Sequence, residues 1–286
     1  MSANSSWSPS SRELERRATR DRISKRQFLI AAISSIIVIG TLLSATITSP
    51  GWEVVKKTFF DINYGKEVLP TVIQGLWLNL KLTVIGSICI GAIALTLAIL
   101  RTTKSAALTP FRFLAAAYTD IFRGVPLLLV ILLVGFGVPA LQLKAITSNV
   151  TILGSIAVIL TYSAYVSEVI RSGILSIHPS QKAAARSLGL SSAQTMRYVV
   201  LPQALRRVIP PLLNDFVSLL KDTGLVSILG VIDAIRAAQI NSSRTFNYTP
   251  YVVAAILFLL ITIPLTRYTD KTIRGTYSRQ NAEGAI

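Results

Sequence analysis

Two ionisable side chains stand inside long apolar runs: Arg123 within 113–139 and Glu168 within 150–170. A charge at the centre of a bilayer costs at least about 2.5–3.5 kcal/mol on insertion scales, so each needs a chemical reason to be there. Arg123 carries a planar fork that can grip a carboxylate bidentately, and Glu168 can accept an ammonium. Tyr165 lies one helical turn before Glu168 on the same face, where its ring can touch whatever lies against that charge. Asp120 and Ser167 are weaker candidates. A structural reading stands beside this one: Arg123 pairs with Asp120 three residues away, and Glu168 with a helix neighbour, purely for packing. Asp215, Lys221 and Asp222 are read as holding a later helix or a gate. Lys81 is read as snorkelling from an outer helix end, and His178 as a surface residue.

These side chains need helices that cross a membrane. The chain has 286 residues, of which 51% are hydrophobic and only 15% charged, whereas a soluble domain carries nearer a quarter charged. Residues 28–48 and 246–266 each run 21 positions without a charge, and about 20 residues at 1.5 Å each cross a ~30 Å hydrocarbon core. Six spans are expected, at about 28–48, 76–100, 113–139, 150–170, 208–232 and 246–266, giving an all-α membrane protein. The first run follows 27 polar residues and is longer than a signal-peptide core of about 7–15 residues. It also lacks a convincing small-x-small cleavage site followed by a soluble domain, so it reads as a retained helix.

Charge distribution tests that count. With the amino terminus in the cytoplasm, 20 of the 29 Lys and Arg residues fall inside: seven in the tail, then Arg101, Lys104 and Arg112, six between Arg171 and Arg207, and Arg267, Lys271, Arg274 and Arg279. Six fall outside: Lys56, Lys57, Lys66, Lys144, Arg236 and Arg244. A miscount of one span would scramble this split, so both termini are expected in the cytoplasm. The net charge of +16 thus reflects topology. Its short basic blocks lack interleaved aromatics, which argues against a nucleic-acid partner. A lone His178 and a lone Cys89 cannot build an ordinary zinc site, and no Gly-x-x-x-x-Gly-Lys-Ser/Thr phosphate loop occurs.

The segment from Arg171 to Arg207 is long for a loop and has helical texture. Pro179 suits a first helical turn, alanines favour a helix over 181–188, and Gly189 suits a left-handed stop. Ser191 or Ser192 can cap a second short helix that ends before Pro202. Ala183, Ala184 and Ala185 allow close approach of a partner, and Leu188 and Met196 offer apolar anchors. The segment reads equally as a cytoplasmic docking knob or as an ordinary interfacial loop.

Ala183-Ala184-Ala185, three residues, Gly189, nine residues, then Val199-Val200-Leu201-Pro202 resembles the EAA loop of ABC importer permeases, whose pattern is Glu-Ala-Ala, three residues, Gly, nine residues, Ile-x-Leu-Pro. Ala183 departs from that pattern by replacing the glutamate. Residues 75–83, Arg123-Gly124-Val125-Pro126, the run from Tyr165 to Ile174, and Lys221-Asp222-Thr223 resemble the polar amino-acid branch of the same family, in family order. The resemblance covers about 68–274.

The resemblance implies a type I importer core at 70–270 with a coupling loop at 178–203. A cytoplasmic tail (1–27), an extra helix (28–48), an outer segment (49–69) and a second cytoplasmic tail (271–286) complete the chain. It implies a permease in the bacterial plasma membrane that is not itself an enzyme, paired with a second permease copy or paralogue. The implied partners are a cytoplasmic ATPase dimer, which binds ATP–Mg and grips the loop, and an extracytoplasmic solute-binding protein. It makes Arg123, Glu168 and Tyr165 the substrate site for a polar amino acid. Because Tyr165 is uncharged, glutamate or glutamine is expected over a cationic substrate. The rival is a secondary amino-acid transporter driven by an ion gradient; such folds often carry inverted repeats, and no convincing repeat relates the halves here.

Overall fold

The computed structural model describes residues 10–103, 105–143 and 147–283, without the side chains of 17, 18, 21, 22 and 274–283. Lys104, Lys144, the first nine residues of the tail, and the side chains of Arg17, Arg22, Arg274 and Arg279 therefore lie outside the described residues. Every regular element that is described is helical. The chain divides into two units, Met1–Lys57 and Thr58–Ile286.

The first unit is dominated by α1 (Ser11–Ile47), an unbroken helix of 37 residues, about 55 Å long at 1.5 Å per residue. Its part from Ile23 to Ile47 is long and apolar enough to cross a membrane. Large side chains such as Phe28, Ile36 and Leu42 are exposed along it. Several hydroxyls in this run are satisfied internally: Thr41 donates to the Ile37 carbonyl at 2.8 Å and Thr46 to that of Leu42 at 2.8 Å. Lipid offers no other acceptor, so this local bonding is what makes polar residues tolerable there. A turn leads to α2 (Trp52–Phe59), and the boundary between units falls within it.

The second unit is built around α6 (Val150–Leu175), which packs against α3 (Ile62–Thr102), α4 (Thr109–Gly124), α5 (Leu127–Ala140) and α9 (Leu201–Asp222). Its buried stripe of Ala157, Val158, Ile170 and Ile174 meets Ile90 and Ala94 of α3 and Ile131 of α5. A smaller core joins Val72 and Leu76 of α3 to α10 (Ala234–Thr245) and α11 (Thr249–Glu283) through Ala234, Ala238 and Ala254. The helices come very close here. A Cβ on Gly75 would sit 2.4 Å from the Asp233 backbone carbon, so only glycine fits.

Among the described residues, four helical stretches are long and apolar enough to span: Ile23–Ile47, Trp52–Thr102, Val150–Leu175 and Thr249–Ile273. The expected span at 113–139 is instead a pair of helices bent by 105°. Pro126 explains the bend, since it forces Val125 into extended backbone (φ −98°, ψ 131°) and has no N–H to donate. The remaining expected span, 208–232, is the second half of α9 followed by a 3₁₀ stretch, Thr223–Leu229, which ends at Gly230 with φ +89°. Arg206 and Arg207 lie exposed on one side of α9, while Ala204, Val208, Val217 and Leu220 are buried and the helix packs on α6 and α11.

Candidate functional site

Glu168 is the hub of an arginine constellation drawn from three helices. Its Oε2 accepts from Arg101 Nη1 at 2.7 Å, and Arg171 Nε donates to Oε1 at 3.0 Å and to Oε2 at 3.1 Å. Arg101 is in the last turn of α3, while Arg171 follows Glu168 by one turn of α6. Arg123, at the end of α4, places Nη1 3.9 Å from Glu168 Oε2. That contact is Coulombic rather than a hydrogen bond. Three guanidiniums thus surround one carboxylate, and the cluster keeps a net positive charge.

Tyr165 completes the group. Its hydroxyl donates to the Arg123 carbonyl at 3.2 Å, and the Arg123 guanidinium lies 5.9 Å from the centre of its ring, within cation–π range. The side chain of Arg123 is 41% exposed, against 15% for Arg101. Arg101 and Arg171 are committed to Glu168, whereas Arg123 still presents donors outward. The arrangement can therefore receive a carboxylate at Arg123, while both oxygens of Glu168 are already engaged. Tyr118 donates to the Leu160 carbonyl at 2.7 Å and fixes α4, and with it Arg123, against α6.

The structure brings together the three residues expected from sequence, Arg123, Glu168 and Tyr165, and adds two. Arg171 had a local signal in its spacing from Glu168. Arg101 had none, being 67 positions away. The expected partner of Arg123, Asp120, is exposed and forms no ion pair among the described residues. Lys81 lies in the middle of α3 rather than near its end, with its ammonium 5.6 Å from the centre of the Trp77 ring. Asp222 accepts from the Tyr162 hydroxyl at 2.7 Å, which ties α9 to α6.

Sequence reasoning missed one polar knot altogether. Asn79 and Asp233 are both 0% exposed. Asn79 Nδ2 donates to Asp233 Oδ2 at 3.0 Å and to Thr223 Oγ1 at 3.2 Å, and its Oδ1 accepts from Ala234 N at 3.2 Å. Asp233 also caps α10 by accepting from Arg236 N at 2.8 Å. The knot fastens α3, the 3₁₀ stretch and α10 together.

The loop after α6 forms α7 (Pro179–Ser187) and α8 (Ser192–Gln194). His178 is more than a surface residue: its ring Nδ1 accepts from Ser180 N at 3.2 Å and caps α7. Gly189 has φ +84°, the left-handed stop expected of it. Ser191 and Gln194 form a reciprocal capping box. The second helix does not end before Pro202. It continues through a π turn, Thr195–Val200, in which Leu201 N–H reaches back to the Met196 carbonyl. Pro202 then falls in the first turn of α9, where its missing N–H costs little. Ala185 is buried, whereas Ala183, Ala184, Gly189 and Pro202 are exposed and Leu201 is half-buried. Leu188 is 84% exposed, an apolar side chain left uncovered by its own chain.

The loop is tied to the bundle by contacts at its two ends. Arg207 Nη1 donates to the Ser176 carbonyl at 2.8 Å. A Cβ on Gly173 of α6 would lie 2.5 Å from Val208 Cγ1, so α9 presses directly on α6 two turns above the loop. Glu168 is seven residues before the end of α6, about 10 Å along the helix. The arginine cluster and the loop therefore share one end of the unit.

Comparison with known proteins agrees with these features. The model of the binding-protein-dependent transport system inner membrane component matches residues 105–271. The arginine transport system permease protein of Bacillus subtilis (strain 168) is 34% identical over 200 residues, covering 69% of this chain and 89% of the relative. A putative glutamine transport system permease protein of Rickettsia prowazekii (strain Madrid E) is 38% identical over 193 residues, covering 67% and 86%. A crystal structure of an amino acid ABC transporter with histidines superposes with a TM-score of 0.67 at 32% identity, over 75% of this chain and 98% of that one. A multi-pass helical core, an exposed helical knob joined to it by α9 and a match across 105–271 converge on one conclusion: this chain belongs to the binding-protein-dependent transport system inner membrane component family, the permease subunits of ABC importers.

Proposed function

We propose that this chain is the permease subunit of an ATP-driven importer of polar amino acids in a bacterial inner membrane, with glutamine or glutamate as substrate. The observation that carries the reading is the cluster of Arg101, Arg123 and Arg171 around Glu168. Its surplus positive charge and the half-exposed fork of Arg123 suit an α-carboxylate, and Tyr165 offers an uncharged wall to the side chain. A positive cluster disfavours a cationic substrate by like-charge repulsion. The relatives named for glutamine and arginine transport support the amino-acid class.

In this reading both termini face the cytoplasm, two permease chains form the pore, and two ATPase subunits grip the loop 178–203 of each. ATP–Mg binds in those partners, and a solute-binding protein delivers substrate from outside. ATP binding must favour one access state differentially for transport to be driven. Leu188 and the exposed faces of Ala183 and Ala184 are the surface offered to the ATPase, and α9 transmits its movement to α6. The test is uptake of L-glutamine into proteoliposomes holding the permease, its ATPase and its binding protein. Uptake that requires internal ATP is expected. Uptake driven by a sodium or proton gradient without ATP would instead indicate a secondary transporter.

A further inference from the structure

The first unit lies outside the family match, which begins at residue 105, and carries a charge pattern of its own. Between Arg12 and Arg26 the sequence holds seven basic and three acidic residues, a net charge of +4. The apolar run starts two residues later, at Phe28. No proline interrupts Ser11–Ile47, so the basic stretch and the apolar run form one unbroken helix, α1. The apolar part therefore sets the depth of each cation relative to a bilayer.

Arg12, Arg16, Arg20, Lys25 and Arg26 are all exposed, and none of these side chains has an ion-pair or hydrogen-bond partner among the described residues. At 1.5 Å per residue, Arg26 and Lys25 stand about 3 and 4.5 Å from the start of the apolar run, Arg20 about 12 Å, Arg16 about 18 Å and Arg12 about 24 Å. The headgroup layer is about 5–7 Å thick on each side of a bilayer. Lys25 and Arg26 thus lie at the level of the lipid phosphates, about 100° apart around the helix, where each can address a different headgroup. Arg20 is within one Debye length of that layer, about 8 Å, while Arg16 and Arg12 are beyond it.

The depth of the cations says which partner they suit. The phosphate of a zwitterionic lipid is accompanied by an ammonium of its own, whereas an anionic phospholipid leaves its phosphate to be paired from outside. A guanidinium grips such a phosphate with two donors, and an ammonium holds it as a point charge. We propose that Lys25 and Arg26, with Arg20 at longer range, form a binding site for anionic phospholipid headgroups at the amino-terminal end of the α1 span. The first unit then gathers anionic lipid around itself, which gives this part of the chain a task separate from transport. An acidic protein partner would instead be met by Arg12, Arg16 and Arg20, which share one stripe of α1 at a spacing of four and stand clear of the bilayer. The two occupants therefore depend on different residues.

The test uses the full-length chain in phosphatidylcholine bilayers, with a fluorophore beside the site. Cys89, the free and exposed cysteine, is replaced by Cys89→Ser, and Ser24→Cys, at an exposed position, takes the label. Quenching is titrated with phosphatidylglycerol or phosphatidylcholine, each carrying the same nitroxide near the headgroup. At low salt the otherwise wild-type chain is expected to prefer phosphatidylglycerol by about five-fold or more, the value of one cation at an anionic surface. In 1 M salt, where the Debye length falls to about 3 Å, the preference should shrink to within about two-fold. Lys25→Gln with Arg26→Gln should reduce it as far at low salt, and the charge-conserving exchange Lys25→Arg with Arg26→Lys should retain it. Arg12→Gln with Arg16→Gln should leave it within about two-fold of its starting value, because those cations stand beyond screening range. Equal affinity for the two lipids at low salt overturns the proposal. So does a preference that survives Lys25→Gln with Arg26→Gln, or one that the distal pair removes to the same extent.

Discussion

Two polar clusters occupy the same helical unit and solve the problem of charge in opposite ways. In the knot of Asn79, Thr223 and Asp233, the donors and acceptors meet inside the protein, and Asn79 and Asp233 are 0% exposed. In the cluster around Glu168, three guanidiniums face one carboxylate and Arg123 remains 41% exposed. The first joins α3 to α10 with no binding capacity left over. The second keeps charge and hydrogen-bond donors in reserve. A saturated cluster belongs to stability, and an unsaturated one to ligand binding.

The largest effect should come from breaking the saturated cluster. Asp233→Ala removes one of the two acceptors of the Asn79 amide, leaving Thr223, and removes the cap of α10, at a cost of about 2–4 kcal/mol. Thermal unfolding in detergent should shift down sharply, and loss of uptake should follow the loss of folded protein. A melting temperature equal to wild type would dismiss the knot as a structural element.

Next in size is the docking surface, where Leu188→Asp puts a charge on an apolar side chain that its own chain does not bury. The fold should hold, while affinity for the ATPase falls by about thirty-fold, as for loss of an interface anchor worth about 2 kcal/mol. Co-purification and titration with the ATPase measure this. Unchanged association would place the contact elsewhere on the loop.

The smallest effect sharpens the contrast itself. Arg101→Gln removes one positive charge and leaves Arg171 as the only arginine hydrogen-bonded to Glu168 among the described residues. The preference for glutamate over lysine, read from competition for binding to the permease–ATPase complex, should narrow by about three- to ten-fold, since a partly exposed charge at this range is worth about a kilocalorie. A preference that stays constant would mean that the net charge of the cluster does not select the substrate.

Much of this was legible in the residues. Gly189 and Ser191 announce their turn and cap because the causes, a left-handed backbone and an orphan N–H, are local. Arg123, Glu168 and Tyr165 stood out because ionisable and polar groups in apolar runs are rare. Long-range partners were not legible. Nothing near Glu168 points to Arg101, 67 residues away, and nothing near Asn79 points to Asp233, 154 residues away. The break at Pro126 was visible as a proline but was read through, because hydropathy averages over a window and does not register a missing N–H. The continuation past Pro202 went the other way. Proline argues for a stop, yet a π turn before it lets the helix run on.

The most direct measurement of the central claim is ATP-driven glutamine uptake by Arg123→Ala in proteoliposomes, taken together with its melting temperature. Arg123 holds Glu168 only at 3.9 Å and is the most exposed of the three arginines, so its loss should leave the fold within about 1 kcal/mol of wild type. Uptake should nevertheless fall by about ten-fold or more, as for removal of a charge-assisted contact to the substrate. Uptake equal to wild type, or a loss matched by unfolding, would contradict the assignment of the arginine cluster as the carboxylate site.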